Sequence, residues 1–309
     1  MGRKVNPNIL KTSNKINRHS LHWSKNKEEC STSLFQDVKL YEFINKFFKN
    51  YGILLHSYKI YKSDYFLKIK ISYYTSLTSL NFVKKFKLKK IKKIPYHRMK
   101  YFSYKRFKTF RLDFISRVKI ERFKKVWKYK KDLTIYNSFI KSFINGINMF
   151  TGNKLKLTLF FQNINKGLSN RFKNHEMILL KRIIFNLRFF KRGTFFRDCF
   201  NVILICLKKK NSAKLLCDFI IQILNNSKRY GYFFSFLKKC ITALIKKKLF
   251  NFKGIRILIN GRVKGRSRAR PISTDIGNLC IQSFNSDLSY HYSTAFTDNG
   301  TLGVKVWIN

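Results

Sequence analysis

The densest candidate for chemistry is a comb of cations near the C-terminus. Arg262, Lys264, Arg266, Arg268 and Arg270 stand at alternate positions after a short apolar strand pattern. In an extended chain, alternate side chains project to one side about 6.5–7 Å apart, close to the phosphate repeat of an extended single strand. Arg offers a planar fork that grips phosphate through two N–H donors, whereas Lys acts as a point charge. Four of the five are Arg although Lys outnumbers Arg 48 to 18 across the chain. A second set sits on a helical pattern from Phe233 to Leu249. There Phe233, Leu237, Cys240, Ile241, Leu244 and Ile245 share one side, and Lys238, Lys239, Thr242 and Lys246 the other. Arg3, Lys4 and Lys11 add cations at the start of the chain. All of this is chemistry for binding phosphate.

Nothing comparable speaks for catalysis. The 14 acids are dispersed, with no carboxylate pair or triad for acid–base work or for holding metal. No GxxxxGK[ST] phosphate loop occurs. The six cysteines, Cys30, Cys199, Cys206, Cys217, Cys240 and Cys280, form no CxxC, and the six histidines no HxxxH. They read as free thiols in a reducing compartment, and no catalytic residue, cofactor, metal ligand or small-molecule substrate is assigned. The sequence has neither a Tyr-Ala-Asp-Asp-like polymerase box nor a LAGLIDADG-like helix. An organelle-encoded RNA-processing or splicing factor of the maturase kind, without its own catalytic site, is the alternative reading. No uncharged apolar run reaches the ~18–20 residues of a membrane span. The charge is also spread along the chain rather than along one amphipathic helix, which disfavours a membrane-surface role.

The charge balance agrees with the comb. The 309 residues carry 66 Lys+Arg against 14 Asp+Glu, a net +52, while 45% are hydrophobic. That length suits about two domains with real cores, and that excess calls for a polyanion, by default nucleic acid. Residues 84–131 alone hold 21 Lys+Arg and two acids. This strip is either a solvated run or an arm that orders on RNA. Residues with A+T-rich codons dominate: Phe numbers 32 and Tyr 16, against 13 Gly and three Pro. The gene is therefore read as A+T-rich, in an organelle or in a nuclear genome of that bias, and aromatic content alone is discounted as evidence of stacking. The start, MGRKVNPNILK, lacks an apolar h-region and does not read as a transit peptide.

The elements that must position these cations follow from periodicity. Leu34, Val38, Tyr41, Ile44, Phe47 and Phe48 mark an amphipathic helix capped by Ser33 or Ser31 and stopped at Asn50-Tyr51-Gly52. Two strands, 53–60 and 65–73, flank the turn Lys62-Ser63-Asp64, with Phe66, Lys68 and Lys70 facing away from Leu67, Ile69 and Ile71. Strands are also expected at 156–161 and, as a buried run, at 199–207. Residues 171–192 are a basic helix or a second insertion. A helix beginning AKLLCD at Ala213 carries Leu215, Leu216, Phe219, Ile220, Ile223 and Leu224 as its apolar stripe and turns Lys214, Asp218 and Gln222 away. The helix bearing Lys238 follows, then strands at 255–260, 279–284 and 302–308. The whole is an α+β pattern.

The segment GIRILINGRVKGRSRARP resembles small-subunit ribosomal protein three, whose strand is followed by GRxxGxxxAR. Gly261, Arg262, Gly265, Ala269 and Arg270 fill those positions. The ending with Gly300, Gly303, Val304, Lys305, Val306, Trp307 and Ile308 is similar to that family's. So are the opening MGRKVNPN, the helix start AKLLCD and SDLSY (Ser286 to Tyr290). The resemblance implies a type-II KH domain, a backbone clamp with a G-x-x-G loop, in the N-terminal half. Only Gly300 and Gly303 have that spacing, so the KH-like domain is read as degenerate and interrupted. The expected layout is a basic tail at 1–33, the first part of the KH-like domain at 34–83 and a basic insertion at 84–150. The remainder of that domain, with a second insertion, takes 151–210. A C-terminal domain of two helices on a small mixed sheet takes 211–309. The resemblance implies a structural protein of the small-subunit head. Its partners would be small-subunit rRNA, neighbouring head proteins and, through Lys238 and Lys239, messenger RNA at the channel through which it enters. Lys238 and Lys239 match the family's Lys-Arg pair, while Phe234 and Ser235 replace its Arg-Arg pair. Drifted composition, basic insertions and a start unlike a transit peptide are read together as a mitochondrially encoded member, expected in the mitochondrial ribosome of the matrix.

Overall fold

The computed structural model describes residues 6–10, 20–22, 27–63, 65–76, 130–152, 155–165, 174–208, 212–227, 230–247, 253–263, 267–284 and 286–309. The basic strip up to residue 129 lies outside these. The chain forms two units, Asn17–Lys166 and a second made of Met1–Ile16 with Gly167–Asn309. A single turn, α1 (Pro7–Leu10), belongs to the second.

The first unit runs β1 (Ser20–His22), α2 (Lys27–Asn50), β2 (Ile53–Lys62), β3 (Phe66–Thr75), α3 (Lys130–Thr151), β4 (Lys156–Asn163). Its sheet order is β1-β2-β3-β4, with β2 and β3 antiparallel and both outer pairs parallel. Helix α2 begins earlier than its apolar pattern suggests, and its inward stripe is Ser33, Asp37, Leu40, Ile44 and Phe48. Leu34 and Val38 point outward instead, 49% and 55% exposed. The polar Asp37 on the inner side conceals the true phase from a hydrophobicity reading. It lies near Tyr58, whose hydroxyl is pushed up by burial and then by the Asp37 charge. Gly52, at φ 68°, ends the helix as expected and donates its N–H to the Lys49 carbonyl at 2.9 Å. Strand β3 alternates as its sequence demands, with Leu67, Ile69 and Ile71 buried under the helices and Phe66, Lys68 and Lys70 exposed.

Residues 130–150 fall in the stretch read as a basic insertion, yet α3 supplies Phe143 and Ile147 to the core beside Ile44, Phe48 and Ile69. The helix approaches α2 closely at Gly146, where a Cβ would meet the Phe43 ring at 2.5 Å. The lysine-rich sequence before α3 hides the stripe from which Phe143 and Ile147 come.

The second unit continues with α4 (Asn174–Asn186), a 3₁₀ turn at Arg188–Arg192, α5 (Phe196–Lys208), α6 (Ala213–Asn226) and α7 (Gly231–Lys246). Then come β5 (Gly254–Asn260), β6 (Ile272–Gly277), β7 (Ser289–Thr297) and β8 (Gly300–Ile308), in the antiparallel order β6-β5-β8-β7. Residues 167–208 thus join the C-terminal unit, not the KH-like stretch to which 151–210 was assigned. The run at 199–207, read as a strand, lies within α5. Val202 to Leu207 are all buried, and a continuous apolar run of that length does not distinguish a strand from a buried helix. Helix α6 is walled in by β7 and β8 on one side and α5 on the other, so even Asp218, read as outward, is buried. No strand forms at 279–284. The partner strands are β6, an edge strand of half-exposed alternation, and β7. The sheet is therefore wholly antiparallel rather than mixed.

Candidate nucleic-acid interface

Helix α7 presents its lysines because its other side is anchored. Phe233, Phe236, Leu237, Cys240, Ile241 and Leu244 are buried, whereas Ile245 is half-buried. The anchor is an aromatic nest in which the Phe236 ring meets Phe190 at 5.4 Å, Phe195 at 5.6 Å and Phe196 at 5.3 Å. Lys238, Lys239 and Lys246 are exposed, as the periodicity requires. Lys239 is steered further, its Nζ lying 5.4 Å over the Phe190 ring. The Thr242 hydroxyl is turned back on the helix, donating to the Lys238 carbonyl at 2.7 Å.

The structure adds cations that spacing alone did not single out. Exposed Lys247 lines a shallow groove of about 430 Å³ with Lys181, Arg182, Ile183, Phe185 and Asn186 of α4. Arg188 stacks over Phe185 at 4.8 Å. The available signal was the basic content of residues 171–192, which needs the approach of α4 to α7 before it becomes a site.

Downstream, the comb begins at Gly261, where φ is 137° and a Cβ would lie 2.6 Å from the Leu302 side chain and 2.9 Å from the Thr301 carbonyl. Only glycine fits there. Val263 is buried and pins the loop, so Arg262 before it is turned outward and exposed. Arg268 and Arg270 are exposed on the return to β6. Lys264 and Arg266, like Arg3, Lys4 and Lys11, lie outside the described residues. One face of the sheet carries a row across all four strands. Asp275 pairs with Arg256 at 3.2 Å, Arg256 lies 5.9 Å over Trp307, and Trp307 meets Tyr290 at 5.2 Å. Gly300 and Gly303, the only pair with G-x-x-G spacing, are part of β8, and Gly303 packs on the Tyr292 ring.

Among the described residues no three His, Cys, Asp or Glu side chains converge, and no helix is long and apolar enough to cross a membrane. Burial raises the Cys206 and Cys240 thiols to about 12 and pushes the Cys199 thiol well up.

An anchored basic helix and an arginine-bearing loop thus belong to one unit built around an antiparallel sheet. Residues 232–308, which are α7 and β5 to β8, match the family model for the ribosomal protein S3 C-terminal domain. Over this stretch the chain is similar to the ribosomal protein S3 family. The chain is 34% identical over 101 residues to small ribosomal subunit protein uS3 of Karelsulcia muelleri, a stretch covering 33% of this chain and 42% of the relative. It is 39% identical over 72 residues to uS3 of Kosmotoga olearia, covering 23% and 32%. To protein uS3c of Tupiella akineta it is 36% identical over 109 residues, covering 34% and 45%. The chain thus spans less than half the length of these curated relatives.

Proposed function

We propose that this protein is a non-catalytic, RNA-binding structural component of the small ribosomal subunit in mitochondria. The observation that carries the reading is the coincidence of two independent facts. The family match covers the same α7 and β5–β8 that place Lys238, Lys239, Lys246, Arg262, Arg268 and Arg270 on the surface. In this reading rRNA and neighbouring subunit proteins neutralise the +52 charge. The first unit, with two helices on one side of its sheet, is the KH-like domain with its clamp lost. The A+T-biased composition supports the mitochondrial setting.

Sedimentation is the direct test: the protein travels with the small subunit in moderate salt. Recovery chiefly in free RNA-processing particles overturns the reading and favours the maturase-like alternative. Within the ribosome, α7 faces the channel through which messenger RNA enters, and its lysines attract phosphates without the fork that Arg supplies. Lys238→Ala with Lys239→Ala leaves assembly intact and slows translation through a message bearing a stable hairpin. Equal rates on structured and unstructured messages in assembled mutant ribosomes would remove the channel role and leave a scaffold.

A further inference from the structure

Helices α2 and α3 bury Ile60, Leu67, Ile69 and Ile71 on one face of the first unit's sheet. The opposite face is buried at Leu54, Ser72 and Tyr74 but open from Lys59 and Lys70 onward to Phe66. The register fixes what that face carries. Phe66 stands beside Lys156, Lys68 between Tyr61 and Thr158, and Lys70 between Lys59 and Phe160. Lys59, Lys68, Lys70 and Lys156 are exposed, as are the Phe66 and Phe160 rings at 52% and 44%. Each central cation leans diagonally on a ring. Lys68 Nζ lies 5.2 Å over Phe160, and Lys70 Nζ 5.1 Å over Tyr61. Codon drift explains how many aromatics the chain has, but not their alternation with four lysines on one face. No carboxylate occupies these positions among the described residues.

We infer that this open face binds single-stranded RNA, with bases stacked on Tyr61, Phe66 and Phe160 and phosphates held by Lys59, Lys68, Lys70 and Lys156. Strand geometry sets the three rings about 8–14 Å apart, a span of two to three nucleotides. A flat sheet bearing exposed rings is a stacking platform, and stacking accepts any base because every base has a π face. The ammonium groups that rest over the rings in the free chain are the groups a backbone phosphate draws aside, which uncovers the ring for the base. The inference rests on the RNA-binding reading above and gives it a second site, outside the residues matched by the family model. It also supplies the first unit with an RNA contact that does not use a G-x-x-G loop.

The test is photocrosslinking of the full chain to a uridine 12-mer in 0.3 M KCl, with crosslinked residues mapped by mass spectrometry and affinity by anisotropy. Crosslinks at Tyr61, Phe66 or Phe160 are expected. The combined variant Tyr61→Leu, Phe66→Leu, Phe160→Leu binds about ten-fold or more weakly with an unchanged salt slope. Lys68→Gln with Lys70→Gln lowers that slope by about 1.4. Wild-type crosslinks confined to the second unit overturn the inference and leave the RNA-binding function standing. Absence of any crosslink or binding removes both. Lysine-directed crosslinks from Lys68, Lys70 or Lys156 to another protein in assembled subunits, without RNA crosslinks there, also overturn it.

Discussion

Truncation of Phe236 to Ala tests whether the aromatic nest is what holds the lysine-bearing helix in place. The side chain is fully buried and touches three other rings, those of Phe190, Phe195 and Phe196. Removing a buried phenyl group costs about 3–5 kcal/mol through lost transfer energy and the cavity left behind. The ring pairs contribute about 0.5–1.5 kcal/mol each beyond burial. Because one ring serves all three they do not add fully, and about 4 kcal/mol is expected for Phe236→Ala. The loss also frees Phe190 from its place under Lys239, forfeiting about 0.5–1 kcal/mol of cation–π attraction at an exposed site. Phe236→Leu refills most of the volume and loses only the ring geometry, for about 1–2 kcal/mol. Against a domain stability of about 5–15 kcal/mol, the Ala variant is severe and the Leu variant tolerable. Hydrogen exchange on the full chain in 0.5 M KCl reads the effect locally. Where exchange follows opening of the nest, about 4 kcal/mol corresponds to a roughly thousand-fold loss of amide protection in α7. A loss below about 1 kcal/mol for Phe236→Ala, or equal losses for Ala and Leu, refutes the anchoring argument.

Further outcomes follow from the same geometry. If Lys238 and Lys239 each hold a phosphate, as proposed, Lys238→Ala with Lys239→Ala lowers the slope of log K against log salt on single-stranded RNA by about 1.4; an unchanged slope contradicts the contact. Cys280 is exposed and alkylates at pH 8, whereas Cys206 and Cys240, with thiols near 12 against 9.0, hold about a thousand-fold less thiolate and react only after unfolding. Equal native rates by mass spectrometry would show that these thiols are not buried. Gly277→Ala forces a Cβ to 2.4 Å from the Lys253 carbonyl at φ 80° and costs about 2–4 kcal/mol. Gly300→Ala, at φ 112° with nothing within 4 Å, costs about 1–3 kcal/mol of strain alone. Urea midpoints for the two variants check the order, and Gly300→Ala proving the more harmful would refute it.

The sequence was most readable where one face of an element is buried and the other wet. Strand β3, with its strict alternation of Lys and aliphatic residues, and α7, with its single stripe, were both legible. Strand β5 was equally plain. Legibility failed where burial is two-sided or shallow. The run Val202 to Leu207 in α5 has no polar residue to reveal its period, and the edge strand β6 (ISTDIG) has too few apolar residues to announce itself. In α2 a buried Asp37 on the inner side shifted the apparent stripe by almost a third of a turn. Among the cations, Lys238, Lys239 and Lys246 were evident because they share one helix. The groove of Lys181, Arg182 and Lys247 was not, since it exists only once residues more than sixty positions apart in sequence meet.

The turn at Pro7–Leu10 lies against β7, where the Asn8 side-chain amide donates to the Tyr290 carbonyl at 3.0 Å across 282 positions of chain. A ribosome making this protein therefore releases one half of a contact 282 residues ahead of its counterpart. At ~5–20 residues per second the early segment waits roughly 15–60 s for its partner. In the meantime residues 17–166 are complete and can collapse as a unit nested inside an unfinished one. Strands β1 and β4, the margins of that nested sheet, lie three strand spacings apart, about 14–15 Å. Folding of the insert thus replaces a coil of about 150 residues by a short bridge, and the entropy of joining the two ends of the chain falls accordingly. Vectorial synthesis and the nested layout together make the order of maturation a property of the topology: the insert first, the enclosing domain last.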